Sequence, residues 1–195
     1  MNDDFDAWKD CLDEDRWIFD KLILSKRLGH LCGPAGEPVP NPNFYIVRPC
    51  VNLLGMGRGA KKVWIEKETE NIIPDGYFWC EEFTGRHLSI DYLDKKQSLC
   101  VEGIRDLKDP FWKWKEWKKV NDIVPLPEIF NSLKGEYKNI NVEMIGEKVI
   151  EIHLRPNPDW ENYNGKSIIP LFIPDGYEFI EDRDYKRLGF FKEST

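Results

Sequence analysis

Two segments of the chain carry residues whose types and spacing suit the binding of phosphate and metal ions, and the first is a strand followed by a glycine-rich loop. The predicted strand includes Tyr45–Pro49 and has an arginine, Arg48, near its end. The loop that follows contains three glycines at alternate positions and a second arginine: Gly55, Gly57, Arg58 and Gly59. Glycines allow backbone N–H groups to approach phosphate oxygens closely, and a guanidinium group neutralises phosphate charge. The pattern indicates either a phosphate-binding loop or a structural hairpin tip that needs glycine.

The second segment is a strand-like sequence from Val149 to Pro156, in which polar and apolar residues alternate. Because successive side chains of a strand point to opposite faces, Glu151, His153 and Arg155 share one face. A carboxylate and an imidazole two residues apart can both bind a metal ion, and an arginine can hold an anion. The same alternation is typical of a strand with one face in solvent, so the residues leave both interpretations open.

Glu143 belongs to the preceding strand, and the two strands form the clearest predicted hairpin of the chain. A three-residue turn over residues 146–148 places Glu143 opposite Glu151 on the same face. A two-residue turn moves Glu143 to the other face, because a shift of one residue reverses every side chain. The pairing of the two carboxylates therefore depends on the length of the turn.

A segment rich in tryptophan and lysine, residues 111–119, also has two interpretations. Its aromatic rings can stack on nucleic-acid bases or contact a partner chain. On a helix, Trp114 and Trp117 would instead be neighbours three residues apart that pack in the core while the lysines stay solvated. We favour packing in the core.

The elements that position these residues are predicted to be short strands with a few helices. An apolar stripe predicts a helix over residues 13–28, which Asp13 caps and Gly29 ends. A second helix is predicted at residues 125–133, with a proline near its first turn. Alternating β-branched and aromatic residues predict strands at the following segments: 44–49, 62–66, 77–83, 87–92, 140–145, 149–154 and 168–173.

The composition bounds the class of protein. A chain of 195 residues with 41% hydrophobic side chains folds as one domain or as two small lobes. Its net charge of −7 at pH 7 argues against a nucleic-acid surface that covers the whole molecule. The acidic start lacks the pattern of a signal or transit peptide, and no apolar run approaches the ~20 residues of a membrane span. Five scattered cysteines without a CxxC pair predict reduced thiols, so we expect a cytoplasmic protein, in the host cytoplasm if the source is viral.

The order of the motifs resembles the ATP-grasp superfamily over roughly residues 16–160. That family shows an Asp-Lys-Leu-like helix start, a strand with a cation before proline, a glycine-rich loop, an acidic strand and a final Glu-x-Asn-x-Arg strand. The corresponding residues here are Asp20–Leu22, Val47–Pro49, Gly55–Gly59, Glu81–Leu88, Glu143 and Glu151–Pro156. The resemblance implies an α+β fold in which two small lobes with mainly antiparallel sheets enclose a nucleotide cleft.

The same resemblance implies one ATP-grasp-like unit over residues 1–195. Its N-terminal lobe would extend over about 16–79 and carry the glycine-rich loop, and its C-terminal lobe would extend over about 80–195 and carry the metal-binding hairpin. The larger members of the family have a preceding domain that helps to hold the acceptor substrate. We therefore expect the acceptor to be bound by the 93–139 segment and the C-terminal residues, or by another protein.

The resemblance further implies which residues hold the cofactors ATP and Mg²⁺. Lys21 and Arg48 would bind the α- and β-phosphates, and the loop 55–59 would close over them. The adenine pocket would be lined by Glu81, Glu82 and Phe83, while His87 stands where the family places a ribose-binding acid. The implied metal ligands and the arginine that steadies the transferred phosphoryl group are Glu143, Glu151, His153 and Arg155. Since His153 replaces the usual asparagine, Mn²⁺ is a second candidate metal.

The reaction that the resemblance implies is carboxylate activation. A carboxylate attacks the γ-phosphorus of ATP, and an amine or thiol then displaces phosphate from the acyl phosphate, with Arg48 and Arg155 as the catalytic cations. The expected partners are small-molecule or peptide carboxylates and amines, and a protein that could supply the acceptor, but neither a membrane nor nucleic acid. Two alternatives stay open: a catalytically degenerate nucleotide-binding or structural protein, and a nucleic-acid-associated factor that uses residues 111–119.

Overall fold

The computed structural model describes residues 4–51, 57, 59–161, 164–172 and 187–192. The α-helices in this part of the chain are α1 (Asp4–Asp10) and α2 (Lys21–Arg27), and short 3-10 segments span Asp13–Phe19, Glu128–Ser132 and Pro158–Trp160. The strands are β1 (Cys32–Pro34), β2 (Asn43–Pro49), β3 (Lys61–Ile65), β4 (Tyr77–Glu81), β5 (His87–Leu93), β6 (Lys96–Ile104), β7 (Glu116–Lys119), β8 (Asn139–Ile145), β9 (Lys148–His153), β10 (Ser167–Phe172) and β11 (Arg187–Lys192).

The strands form two antiparallel sheets. The smaller sheet has the order β1-β4-β2-β3, and the larger has the order β11-β10-β7-β6-β5-β8-β9. The connection from β4 to β5, residues 82–86, is where the chain passes from one sheet to the other. Two antiparallel sheets with few helices make an α+β protein, which confirms the predicted fold class.

The smaller sheet buries one face through the strict alternation of β2. Tyr45 and Val47 point into a core with Ile65 and Trp79, and all four side chains are buried. The Tyr45 and Trp79 rings meet edge to face with centroids 5.1 Å apart. Each such burial contributes roughly 1.5–3 kcal/mol. Because neighbouring residues of a strand alternate, Arg48 points away from this core.

The larger sheet packs its apolar face against the N-terminal helical segments. Ile90, Val142 and Ile152 from three adjacent strands form one core with Ile18 and Leu24. The N-terminal segments are thus fixed to the larger sheet, next to its edge strand β9. None of the helices in the described residues is both long and apolar enough to cross a lipid bilayer.

The predicted helix over residues 13–28 is wrong as a single element. Its first part is the 3-10 segment Asp13–Phe19, and α2 begins only at Lys21. The break lies at Asp20, whose Oδ1 accepts hydrogen bonds from the backbone N–H groups of Leu22 at 2.9 Å and Ile23 at 3.0 Å. An aspartate in this role satisfies N–H groups that a new helix leaves unpaired, so it starts a helix where the apolar stripe alone predicts continuity. Gly29, with φ at 72°, follows the end of α2 as predicted.

Contacts with distant residues shorten the predicted helix at 125–133 and exclude the helical form considered for residues 111–119. The predicted helix at 125–133 is limited to Glu128–Ser132, since the chain before it is extended and its carbonyls at 124 and 125 accept hydrogen bonds from the Tyr92 hydroxyl. The tryptophan–lysine segment contains the strand β7, which pairs with β6 in the register Gly103 to Trp117, and no helix. The seven predicted strands are all present, with ends that agree within two residues.

The β8–β9 hairpin places its two glutamates opposite each other, although its turn is the shorter of the two that the sequence leaves open. The turn contains only two residues, 146 and 147, because Ile145 pairs with Lys148 and Met144 with Val149. The register then shifts, and Glu143 pairs with Glu151. The extra residue is Ile150, which forms a β-bulge that moves Glu151 to the face of Glu143. The hairpin therefore has the two-residue turn and still pairs Glu143 with Glu151, because the bulge restores the shared face.

Candidate functional site

A buried ion pair joins α2 to the edge strand of the larger sheet. The Lys21 ammonium nitrogen lies 3.0 Å from Oε1 of Glu151, and the two side chains are only 7% and 11% exposed. The helix that carries Lys21 is anchored at the same point, because the backbone N–H of Lys21 donates to the Cys50 carbonyl at 2.7 Å. Cys50 directly follows β2 of the smaller sheet, so Lys21 stands where the two sheets approach each other.

Arg48 crosses from the smaller sheet to the larger one. Its Nη2 donates a 2.9 Å hydrogen bond to the carbonyl of Ile150, the bulged residue of β9. The guanidinium carbon lies 5.1 Å from the centre of the Phe78 ring. Arg48 is 8% exposed, and within the described part of the chain its Nε has no hydrogen-bond partner. A buried N–H without a partner is costly, so this guanidinium is suited to receive an acceptor from a ligand.

His153 lies between two carboxylates on the face that carries Glu151. Its Nδ1 is 2.8 Å from Oδ1 of Asp4, and its Nε2 is 3.5 Å from Oε1 of Glu151. The Nε of Arg155 donates to the same Asp4 oxygen at 2.8 Å. Burial alone lowers the pKa of His153, but Asp4 and Glu151 outweigh it and raise that pKa above its usual 6.5. The strand face is therefore a buried charged cluster, and the interpretation of a solvent-facing strand is wrong.

Glu143 is held by a histidine that is itself enclosed by tryptophans. Nε2 of His87 lies 3.2 Å from Oε2 of Glu143. The His87 ring meets Trp114 edge to face at 4.7 Å and Trp117 at 5.5 Å. Burial favours the neutral carboxyl of Glu143, but His87 and the charges of nearby cations lower its pKa to about 2. Glu143 is therefore ionised at neutral pH and fixed in orientation.

The tryptophans fit around His87 because β6 has a glycine beside them. A Cβ at Gly103 would lie 2.8 Å from Trp114 and 2.9 Å from Trp117. Trp114 is 7% exposed, so little of its ring is available to stack on a nucleic-acid base. The packing that the sequence favours is thus present, although it occurs on a strand and its preceding loop.

A buried polar network next to this cluster was not predicted from the sequence. Nδ2 of Asn141 donates to Oγ of Ser89 and to Oδ1 of Asp91, both at 2.8 Å. The backbone N–H of Asn157 donates to Asp91 at 3.0 Å. Burial raises the pKa of Asp91 despite these hydrogen bonds. The network fixes the loop after β9, and its signal in the sequence is the alternation of polar and apolar residues in β5.

The segment expected to line the adenine pocket ends β4 and begins the connection between the sheets. Oε1 of Glu81 accepts a 2.9 Å hydrogen bond from the Leu31 N–H, and Glu82 forms a partly exposed ion pair with Lys62 at 2.6 Å. The Phe83 ring meets His30 edge to face at 4.8 Å. His30 is buried, and within the described residues its Nδ1 has no hydrogen-bond partner. The region thus offers an aromatic ring and an unused buried nitrogen beside the inter-sheet connection.

Only part of the glycine-rich loop can be described. Gly55 and Arg58 lie outside the described residues. Gly57 and Gly59 adopt left-handed backbone conformations with φ of 71° and 82°. A side chain at Gly59 would also meet the Tyr77 hydroxyl at 2.9 Å. Both positions therefore require glycine for conformational reasons, which is the structural interpretation of the loop, and its binding of phosphate stays a prediction.

The structure brings most of the remaining predicted side chains into one cluster around β9. Its members are Lys21, Arg48, His87, Glu143, Glu151, His153 and Arg155. The donor set suits Mg²⁺, which is bound in nucleotide sites by one or two carboxylates together with phosphate oxygens. Within the described residues, no three side chains of His, Cys, Asp or Glu gather in a metal-binding group.

The two antiparallel sheets, which approach each other at this cluster, have the ATP-grasp fold, as comparison with a solved structure shows. A solved structure from Archaeoglobus fulgidus, described as an ATP-grasp superfamily protein, is similar to this chain with a TM-score of 0.51 and 15% sequence identity. The similarity covers 91% of this chain and 65% of that chain, so the present chain spans about two thirds of its length. It shows the fold, which is the fold that the resemblance in sequence implies.

Two ligase structures are similar over smaller parts. D-alanine–D-alanine ligase from Bacillus anthracis, complexed with ATP, has a TM-score of 0.43 and 15% identity, over 71% of this chain and 55% of that one. The ATP-grasp ligase PsnB, complexed with a minimal precursor, has a TM-score of 0.41 and 11% identity, over 72% and 52%. The conclusion about the fold rests on the Archaeoglobus protein. No protein-family model and no curated protein matches the chain.

Proposed function

We propose that this protein is an ATP- and Mg²⁺-dependent ligase that activates a carboxylate as an acyl phosphate for attack by an amine or a thiol. The observation that carries the proposal is that Lys21 pairs with Glu151, which lies opposite Glu143, while Arg48 from the smaller sheet is hydrogen-bonded to the adjacent residue Ile150. Phosphoryl transfer requires mainly positioned positive charge, because charge spreads over the phosphoryl oxygens in the transition state. Fixed cations beside paired carboxylates supply that environment.

Lys21 and Arg48 are the proposed ligands of the α- and β-phosphates. Arg48 has an unused N–H to donate, while its bond to Ile150 keeps the guanidinium in place. Lys21 pairs with Glu151, and its ammonium group has further N–H donors that can reach a phosphate oxygen. A nucleotide phosphate would therefore add a second anion beside Lys21.

Glu143 and Glu151 are the proposed metal ligands. When bound, Mg²⁺ would neutralise phosphate charge and polarise the transferred phosphoryl group. His87 holds the Glu143 carboxylate in orientation, which is a role that outer partners of metal ligands commonly have. His153 contacts two carboxylates and would have to release one of them to bind the metal ion. We therefore assign His153 to the binding of an anionic group and not to the metal.

The remaining assignments are the nucleotide base and the acceptor. Residues 81–83 would bind adenine at the inter-sheet connection, with the Phe83 and His30 rings beside it. Arg155 would offset charge on the transferred phosphoryl group and the attacking carboxylate. In the reaction, a carboxylate oxygen bonds to the γ-phosphorus as the bond to ADP breaks, and an amine or thiol then displaces phosphate. The substrates are small-molecule or peptide carboxylates and amines, and the cytoplasm would supply the ATP.

A thermal-shift measurement with ATP and either Mg²⁺ or Mn²⁺ tests nucleotide binding. At a nucleotide concentration 100 times Kd, ligation stabilises the native state by about 2.7 kcal/mol, which raises the Tm of a domain of this size by about 5–10 °C. Arg48→Met is expected to abolish most of the shift. Arg27→Met, which alters an exposed arginine stacked on Trp17, is the matched control and is expected to retain it. The absence of any shift at millimolar nucleotide with both metals would refute the proposal.

A protein that binds the nucleotide without turnover is the second candidate. This candidate is favoured by the ion pairs of Glu151, because Lys21 and His153 already balance its negative charge. ATP hydrolysis that disappears in Glu151→Ala, with folding retained, supports the ligase. A wild-type protein that shows the thermal shift but neither hydrolyses ATP nor transfers phosphate to any carboxylate supports the degenerate site.

A further inference from the structure

The carboxylate of Asp4 lies in a cationic corner at the end of β9. A single oxygen, Oδ1, receives the Nδ1 contact of His153 and the Nε contact of Arg155, both at 2.8 Å. Asp4 opens α1, whereas both cationic partners belong to the strand end and loop about 150 residues later. The chain therefore shows directly that this corner accepts a carboxylate.

The corner is built by residues other than Asp4. His153 is 4% exposed, and the side chain of Arg155 is 11% exposed. Arg155 is held from its other side by a 3.0 Å hydrogen bond from Nη1 to the Pro156 carbonyl. The following loop is fixed by the Asn157 N–H, which donates to buried Asp91. Both cationic side chains are thus positioned by their own strand and loop.

The helix α1, which carries Asp4, is held less firmly than the side chains of His153 and Arg155. α1 contains seven residues, which is too short to be a stable helix by itself. Ala7 is its buried residue, whereas Phe5 is 61% exposed and Trp8 is 40% exposed. Withdrawal of Asp4 would leave the guanidinium of Arg155 without this anion in a nearly buried place. A second carboxylate can take up that position.

The corner also adjoins the proposed site of phosphoryl transfer. His153 contacts Asp4 through Nδ1 and Glu151, a proposed metal ligand, through Nε2. A carboxylate bound in place of Asp4 would therefore lie one imidazole ring away from that ligand. This is the neighbourhood that a carboxylate must occupy to attack a nucleotide phosphate.

We propose that His153 and Arg155 form the subsite for the substrate carboxylate, and that Asp4 occupies it as an internal competitor in the free protein. The inference rests on the proposed function for its biological meaning, but its binding test needs no nucleotide. An internal occupant reduces apparent affinity by the fraction of molecules in which the site is open. If Asp4 fills the corner in nine molecules of ten, its removal raises carboxylate affinity about tenfold.

The test is calorimetric titration of the full chain with sodium acetate and, separately, with inorganic phosphate, without ATP or metal. Asp4→Asn is expected to bind acetate about tenfold more tightly than the wild type. Asp10→Asn removes an exposed acidic charge from the same helix and is expected to match the wild type. Adding Arg155→Gln to Asp4→Asn is expected to abolish acetate binding.

Three results would overturn the inference: unchanged acetate affinity in Asp4→Asn, tighter binding of phosphate than of acetate, or retention of binding after loss of Arg155. Asp4→Ser is a second variant in case the amide destabilises the corner. If neither variant folds by circular dichroism, Asp4 is a structural anchor and the inference fails as well. The ATP thermal shift of the wild type is measured apart, so a failure of nucleotide binding and a failure of the carboxylate subsite are distinguished.

Discussion

We expect the two members of the buried Lys21–Glu151 ion pair to differ in how much their replacement destabilises the fold, because Glu151 has a second cationic neighbour close by. Glu151 keeps a second cationic neighbour, His153 at 3.5 Å, when Lys21 is replaced by methionine. When Glu151 is replaced by glutamine, no carboxylate of the described residues remains within 4.0 Å of the Lys21 ammonium, and Glu143 interacts with it only from farther away. Removing one member of a buried ion pair costs about 3–5 kcal/mol, since it leaves an uncompensated charge. We therefore expect Glu151→Gln to lower the free energy of unfolding by this full amount and Lys21→Met to lower it by less.

The assay is urea unfolding, with the midpoint and slope compared across a double-mutant cycle. Glu151→Gln is expected to lower the free energy of unfolding by about 3–5 kcal/mol, which appears as a lower urea midpoint at an unchanged slope. The double variant Lys21→Met/Glu151→Gln is expected to recover part of that loss, because it leaves no buried ammonium. The control is Lys62→Met, which breaks a pair whose side chains are 42% and 37% exposed and is expected to cost about 0–1 kcal/mol. Equal costs for Lys21→Met, Glu151→Gln and the control would refute the reasoning.

Two further predictions concern the stability of the same region. The raised pKa of His153 stabilises the fold below its usual 6.5, and this contribution is lost as pH rises through the higher folded pKa. Unfolding free energy of the wild type should therefore fall from pH 6 to pH 9 more than that of His153→Gln, and identical profiles would contradict the role of Asp4 and Glu151 in holding the imidazolium. Gly103→Ala should destabilise the fold by about 1–3 kcal/mol through overpacking against Trp114, and it should change the near-ultraviolet circular dichroism of the tryptophans. A variant as stable as the wild type would show that the ring can move aside.

The strands could be predicted from the sequence more reliably than the helices, for a physical reason. Period-two alternation in β2 and β8 reports directly which face is buried, so the positions of these strands follow from local residue types. The break at Asp20 depends on a side chain that caps a new helix within a continuous apolar stripe. The strand at Trp117 depends on pairing with Gly103, which is remote in sequence and invisible to a local pattern.

The cluster around β9 was predicted in its residue types but not in its contacts. The motif order that resembles the ATP-grasp superfamily names Lys21, Arg48, Glu143 and Glu151, and the fold brings them together. The contact of His153 with Asp4 could not be foreseen, because nothing in the short N-terminal segment marks it as a neighbour of a strand some 150 residues away. Long-range ion pairs carry no periodic signal, so they follow only from the tertiary structure.

The bulge at Ile150 shows how a small irregularity assembles the site. With a two-residue turn and a regular ladder, residue 150 would face Glu143, and Glu151 would point to the apolar face against Ile18 and Leu24. The extra residue reverses that outcome and pairs the two glutamates. It also leaves a carbonyl outside the regular ladder, and that carbonyl accepts the Arg48 hydrogen bond. One inserted residue thus sets both the acidic pair and the attachment of the cation from the opposite sheet, so the spacing between Gly146 and Glu151 matters as much as their identities.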